Sequence, residues 1–217
     1  MICGIDEAGR GPVIGPMVIA AVWAEEGAEQ QLTEAGVRDS KKLSPGKREQ
    51  IAAFIKKSFY CETTVIEAQD IDALRKTMTI NQLEAYAFAH IASIRRADVY
   101  YIDAASANEE AFKSEVQKHM EYECTIICKH GADSTYAIVS AASIIAKVER
   151  DRRIADIART LEKKLGMPLG SGYPSDEKTI RFIKEWMKRF GDLPPYIRKS
   201  WKTVKNIEND LRQGKLW

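Results

Sequence analysis

Sulfur and imidazole ligands are scarce in this 217-residue chain, which has four cysteines and three histidines. Cys3, Cys61, Cys124 and Cys128 contain no C-x-x-C pair, and His90, His119 and His130 are scattered. A zinc site built on cysteine and histidine is therefore excluded. Cys3 and Cys124 sit in apolar, strand-like runs, where buried reduced thiols are expected. Charge of one sign is also lacking: 33 basic residues against 31 acidic ones leave a net charge of +2, which alone predicts no nucleic-acid partner. No apolar run approaches the ~20 residues that a membrane helix requires. The opening MICGIDE meets acidic residues too early for a signal peptide. Internal repeats and low-complexity linkers are absent. The expectation is a cytoplasmic protein with no membrane association, and nothing demands more than a monomer.

Hydrophobic residues make up 45% of the chain, enough for a sizeable core, and 29% are charged. Residues 1–6 predict a short buried strand ending in carboxylates. The glycines and prolines from Gly9 to Pro16 predict a loop, and the apolar run 17–23 a second strand, so that the two form an antiparallel hairpin. Ser44-Pro45 predicts a helix start with Ser as N-cap and Pro at N1, running to Lys57. A β-branched strand over 59–66, a helix over 81–96, a strand over 99–103, a helix over 108–120 and a strand over 124–128 follow. A long helix is expected from 135 to 164, an amphipathic one over 175–190, and a basic one over 197–212 after the break at Pro194-Pro195. This order predicts an α/β fold, a central sheet flanked by helices with a helical C-terminal extension. The expected division is one main domain over 1–190 and a basic helical segment over 191–217 packed on it.

Three strand ends carry acids: Asp6 with Glu7, Asp103, and Asp133 just past the fifth strand. Functional groups gather at the carboxyl ends of strands in open α/β sheets. Several carboxylates meeting there repel one another unless cations sit among them. Carboxylates without Cys or His suit hard ions, Mg²⁺ or Mn²⁺. Two such ions about 4 Å apart can activate a water and stabilise the leaving oxygen in phosphodiester hydrolysis. Consecutive strand residues point to opposite faces, so Asp6 and Glu7 reach one site only if the strand ends at Asp6 and the chain turns. The glycines after them make that turn accessible.

The segment Asp6-Glu7-Ala8-Gly9-Arg10-Gly11-Pro12, with Gly15-Pro16 following, resembles the signature of the ribonuclease HII family. Four further blocks resemble the family in order: Asp39-Ser40-Lys41-Lys42-Leu43-Ser44; Tyr101-Ile102-Asp103; Lys129-His130-Gly131-Ala132-Asp133 continuing through Val139 to Asp151; and Gly170-Ser171-Gly172-Tyr173-Pro174-Ser175-Asp176. With the ending Arg198-Lys199-Ser200-Trp201-Lys202, the resemblance is greatest to archaeal members. It implies an RNase H-like fold with four metal-holding acids, Asp6, Glu7, Asp103 and Asp133. It also implies hydrolysis 5′ of a ribonucleotide, in RNA–DNA hybrids and at single ribonucleotides in duplex DNA, leaving 3′-hydroxyl and 5′-phosphate ends.

The 2′-hydroxyl distinguishes RNA from DNA, and backbone groups can contact it only where the chain approaches closely, which glycine permits. Gly9, Arg10 and Gly11 are the candidate readers. The resemblance gives Tyr173 the sensing of the RNA-to-DNA junction. Lys41, Lys42, Lys147 and Arg150 are expected to neutralise phosphates. Ser140 and Ser143 are read either as phosphate donors or as helix packing, and Arg198, Lys199, Lys202 and Lys205 as a basic grip on the DNA strand. The ending Gln213-Gly214-Lys215-Leu216 resembles the start of a sliding-clamp binding motif, of which only Trp217 remains. Two other readings compete: a catalytically silent nucleic-acid-binding module on the same fold, and a carboxylate–metal phosphatase acting on small molecules. All four acids are present, against the first; the second has no use for Tyr173 or the basic C-terminal helix.

Overall fold

The structure, a computed structural model, describes residues 1–37 and 43–213, with the C-terminal side chains described through 211. The chain runs β1 (Ile2–Ala8), β2 (Met17–Ala24), α1 (Ala28–Glu34), α2 (Pro45–Ser58), β3 (Tyr60–Ile66), α3 (Ala68–Leu74), α4 (Ile80–Ser93), β4 (Val99–Asp103), α5 (Glu109–Lys118), β5 (Thr125–Lys129), α6 (Ala132–Thr135), α7 (Ala137–Leu165), α8 (Glu177–Phe190) and α9 (Lys202–Gln213). Two compact units emerge. The first comprises 1–8, 18–65 and 78–149; the second comprises 9–17, 66–77 and 150–217. The expected boundary at 190 falls inside the second unit.

The first unit is built on a five-stranded sheet in the order β3-β2-β1-β4-β5. β1 and β2 form the expected antiparallel hairpin, whereas β1–β4 and β4–β5 are parallel, so the sheet is mixed. Strand side chains alternate between faces. On one face Ile2 of β1, Val18, Ala20 and Val22 of β2, and Val99 and Tyr101 of β4 pack with Ile138, Ala141, Ala142 and Ile145 of α7 and with Ile51 and Ile55 of α2. On the other, Trp23 donates its indole N–H to the Arg95 carbonyl and the Tyr100 hydroxyl donates to the Ala92 carbonyl at the end of α4. Both faces of β2 are buried, which is why its sequence reads as a continuous apolar run rather than an alternating one. α7 approaches β1 so closely that a Cβ on Gly4 would stand 2.3 Å from the Ile138 carbonyl oxygen, so only glycine fits there.

The helix signals hold where a cap fixes the start. The Ser44 side chain accepts from the Lys47 amide, with Pro45 at N1 of α2. α1, α3 and α6 were not expected; they have 7, 7 and 4 residues, too few for a periodic pattern to register. β1 runs two residues beyond the expected Asp6, to Ala8.

The second unit has its own core. Ile157, Leu161 and Leu165 form one stripe of α7 at i, i+4 spacing and join Phe182, Ile183 and Trp186 of α8, Val204 and Ile207 of α9, and Val13, Ile14 and Ile197. α9 begins at Lys202 rather than 197. The segment before it is turned and tied to the 13–15 loop: Ile14 bridges Ile197, the Arg198 amide donates to the Val13 carbonyl, and the Gly15 amide donates to the Tyr196 carbonyl.

Candidate active site

Strand alternation assembles the acids of the first unit. Asp6 shares the α7 face of β1 with Ile2 and Gly4, and Asp103 shares that face of β4 with Val99 and Tyr101. β1 and β4 are parallel, with Ile5 opposite Ile102, and the two aspartates directly follow that pair. Asp133 arrives from a different element. After β5, Gly131 turns the chain at φ 69° into α6, and the Asp103 carboxylate accepts the Gly131 and Ala132 amides at 2.8 and 3.3 Å, capping that short helix. One carboxylate oxygen from each of Asp6, Asp103 and Asp133 lies within 4.8 Å of the others. Asp6 and Asp133 are buried and Asp103 is half-buried. Burial pushes the Asp6 carboxyl well above the usual carboxylate range, and the neighbouring charges of Glu7 and Asp103 push it the same way.

Glu7 is not in that group. Because β1 continues to Ala8, the expected turn does not occur at Asp6, and Glu7 lies outside the group of three. It remains near enough to be the largest charge acting on Asp6.

α7 contributes Ser143, whose side chain hydrogen-bonds Asp6 and accepts from the Lys147 ammonium at 2.8 Å. The i, i+4 spacing of Ser143 and Lys147 places both on one helix face. Lys147 is thus tied to the acidic group through a serine hydroxyl, a link that the motif match alone did not reveal. Ser140 does not serve as a phosphate donor: it is fully buried and its hydroxyl donates to the Val37 carbonyl, a packing role. Lys41 and Lys42 lie outside the described residues.

The second unit carries the remaining candidates. Gly9 has φ 88°, and a Cβ there would stand 2.6 Å from the Pro16 carbonyl oxygen and 2.7 Å from the Arg150 side chain. Arg150 is buried, with its guanidinium 5.2 Å from the Tyr173 ring centroid. Its Nε and Nη2 have no hydrogen-bond partner among the described residues, so a buried cation holds donors in reserve beside the Gly9 loop. Tyr173 is 38% exposed, and its ring lies in van der Waals range of a Cβ built on Gly11. Lys199 and Lys202 are exposed, as a basic grip requires. Arg198 is not: it is fully buried, donating to the carbonyls of Gly15, Arg10 and Gly9 at 2.9, 2.8 and 2.5 Å. The basic run suggested a surface cation, but this side chain faces the protein's own backbone. Burial and the nearby Arg150 charge lower its pKa to about 9, still above neutrality. Gly214 to Trp217, and with them the clamp-motif resemblance, lie outside the described residues.

Three converging hard oxygen donors, with no sulfur or imidazole among them, fit a Mg²⁺- or Mn²⁺-like cation, whose charge would relieve the repulsion that raises Asp6. The mixed sheet with its carboxylates at adjacent parallel strand ends defines an RNase H-like fold bearing an acidic metal-binding cluster. The Ribonuclease HII family model matches residues 3–204. A Ribonuclease HII from Methanosarcina barkeri strain Fusaro is 46% identical over 225 residues, spanning 98% of this chain and 97% of the relative. The crystal structure of the ribonuclease H2 from Pyrococcus horikoshii OT3 superposes with TM-score 0.87 at 39% identity, covering 98% and 99% of the two chains. The structure of the PCNA:RNase HII complex from Archaeoglobus fulgidus gives TM-score 0.84 at 39% identity, covering 95% and 96%. The chain belongs to the ribonuclease HII family, metal-dependent endonucleases.

Proposed function

We propose that this chain is an endoribonuclease that hydrolyses the RNA strand of RNA–DNA hybrids and cuts 5′ of ribonucleotides embedded in duplex DNA, leaving 3′-hydroxyl and 5′-phosphate ends. The convergence of Asp6, Asp103 and Asp133 within 4.8 Å carries this reading, together with the family to which the chain belongs. These three aspartates would hold Mg²⁺ or Mn²⁺, with Glu7 as the fourth acid serving a second ion. When bound, such ions supply electrostatic stabilisation to the charge that develops on phosphate oxygens.

The protein's own groups do the rest. Ser143 holds the Asp6 carboxylate and links it to Lys147, whose ammonium adds positive charge beside the acids. The loop Gly9-Arg10-Gly11 reads the ribose 2′-hydroxyl through its backbone. Arg150, with two donors in reserve, receives a phosphate. Tyr173 lies against the nucleotide at the RNA-to-DNA junction. Lys199 and Lys202, with the basic 191–217 segment, supply sequence-independent affinity for the DNA backbone, as Lys41 and Lys42 would. A sliding clamp is the proposed protein partner, by analogy with the Archaeoglobus fulgidus complex and through the tail beginning at Gln213. The protein is proposed to act as a cytoplasmic monomer, in keeping with its free cysteines; among the described residues no helix is long and apolar enough to cross a membrane.

The test is incubation with a labelled DNA duplex containing one ribonucleotide, with Mg²⁺ or Mn²⁺ and then with EDTA. Metal-dependent cutting on the 5′ side of the ribonucleotide is expected; no such cut refutes the reading. For the clamp, a pull-down that captures the full chain and a chain without its last turn equally well would remove the partner.

A further inference from the structure

Two side chains of the second unit converge on the carbonyls of one loop through four hydrogen bonds. The Arg198 guanidinium, 0% exposed, donates to Gly9, Arg10 and Gly15. The Trp201 indole N–H donates to the next carbonyl, Gly11, at 3.2 Å. Arg198 also lies over the Trp201 ring at 4.9 Å, which fixes the two donors relative to each other. The segment that carries them is anchored in turn by Asp72 of α3, whose two carboxylate oxygens accept the Lys199 and Ser200 amides at 2.7 and 2.8 Å. A buried guanidinium surrounded by backbone carbonyls has its donors committed to the fold rather than to a phosphate. It is costly to bury, so its geometry must be retained for what it fixes.

We propose that Arg198, Trp201 and Asp72 are positioning residues that set the ribonucleotide specificity of this enzyme. Arg198 and Trp201 engage the carbonyls of Gly9, Arg10 and Gly11 and so fix the peptide planes of the loop, while Asp72 anchors the segment that carries them. With three consecutive carbonyls held, the orientation of the Arg10 and Gly11 amides is fixed as well, since each amide shares a plane with the carbonyl before it. A loop that presents its amides in one orientation can discriminate a hydroxyl from a hydrogen; a loop free to rotate its peptide planes adapts to either. The proposal rests on the reading that Gly9 to Gly11 contact the ribose, and the experiment separates the two.

The measurement is binding, in a cleavage-dead Asp6→Asn background, to two duplexes that differ only in one ribose 2′-hydroxyl, by fluorescence anisotropy. The ratio of the two dissociation constants is the readout, since a merely structural role would lower the melting temperature without moving the ratio. Four changes are compared, Asp72→Asn among them. Gly11→Ala alters the reader itself, where a Cβ meets only ordinary contacts. Trp201→Phe removes one donor and keeps the ring. Arg198→Lys keeps the charge and loses the fork. The expected result is a loss of discrimination of about fivefold for Trp201→Phe, the worth of one hydrogen bond, and about tenfold or more for Arg198→Lys, with Asp72→Asn falling between no change and Trp201→Phe. If Gly11→Ala loses discrimination while Trp201→Phe and Arg198→Lys keep it, the positioning role is overturned and the reader stands. If all three keep it, the reader falls and the positioning role with it. A lower melting temperature in Trp201→Phe with an unchanged ratio also overturns the proposal.

Discussion

Asp6 is buried at 5% exposure among other acids, and its replacement by asparagine should make the metal-free protein more stable while ending its activity. Two unit charges at 4.8 Å or less repel by at least about 3.5 kcal/mol at an effective dielectric of 20. Replacing Asp6 removes two of the three pairwise repulsions in the cluster. Part of that energy is already relieved by protonation, which is what the upward push on the Asp6 carboxyl expresses. Relieving about 1.5 kcal/mol of it, less than half of one such repulsion, moves the midpoint of a chain this size by about 3–6 °C, at about 2–4 °C per kcal/mol. The Asp6→Asn variant should therefore melt roughly 3–6 °C above the parent in EDTA at pH 8. The sign follows from linkage. The folded-state pKa of Asp6 is raised, so its contribution is most favourable below the unfolded value of 3.8 and is lost as pH rises through the folded value. The advantage of asparagine should widen with rising pH across that window. Mn²⁺ should reverse the order, because a cation stabilises the folded parent by mass action and has lost a ligand in the variant. Differential scanning calorimetry with and without metal measures all three effects. A variant that melts below the parent in EDTA, gains as much from Mn²⁺ as the parent does, or still cleaves would refute the electrostatic account.

Three other expectations are simpler. Tyr173→Ala should reduce cleavage at single embedded ribonucleotides more than cleavage of long hybrids in parallel assays; equal losses would contradict its junction role. Gly9→Ala should cost about 1–3 kcal/mol of stability, because it puts a side chain at φ 88° with a carbonyl 2.6 Å away; urea titration measures the cost, and a neutral result would mean that the loop yields easily. Asp176 accepts from the Ser171 amide and hydroxyl and from the Lys178 amide at the start of α8, bonds that hold its carboxyl down at about 2. Asp176→Ala should cost about 1 kcal/mol; the contribution is present above pH 3.8 and lost as pH falls through about 2, so the parent and variant melting curves should converge at low pH.

How much of this was legible depends on what each signal encodes. The sheet could be read because β1, β2, β4 and β5 are short apolar runs bounded by turns, and because α2 and α8 carry their own caps. The acids were legible as strand-end residues, yet their faces depended on where β1 stops. With two residues of extra strand, Asp6 meets Ser143 of α7 and Glu7 stays outside the cluster of three. Periodicity does not locate a strand end to that accuracy when the next residues, Ala8 and Gly9, are small enough for either conformation. Ser143 and Lys147 were visible at helical spacing, but their hydrogen bond to each other and the bond from Ser143 to Asp6 require knowing how closely α7 lies on β1. That closeness rests on one glycine, Gly4, whose missing Cβ leaves room for the Ile138 carbonyl.

Arg198 shows a different limit. In the run Arg198-Lys199-Ser200-Trp201-Lys202 all three cations look alike, and charge alone assigns them to one surface. What separates them is the demand of a remote segment. The chain from Gly9 to Gly15 is rich in glycine and proline and makes no ladder of its own, so its carbonyls need donors from elsewhere. Lysine offers three donors on a tetrahedral head, whereas arginine offers a planar fork that can serve several carbonyls at once. The partner of a glycine-rich loop is therefore better sought among the arginines than the lysines, and a tryptophan three residues on, with a single N–H to place, fits the same need. By that argument the burial of Arg198 and the exposure of Lys199 and Lys202 follow from the chemistry of the donors, and Arg198→Lys, although it conserves charge, should lose ribonucleotide discrimination.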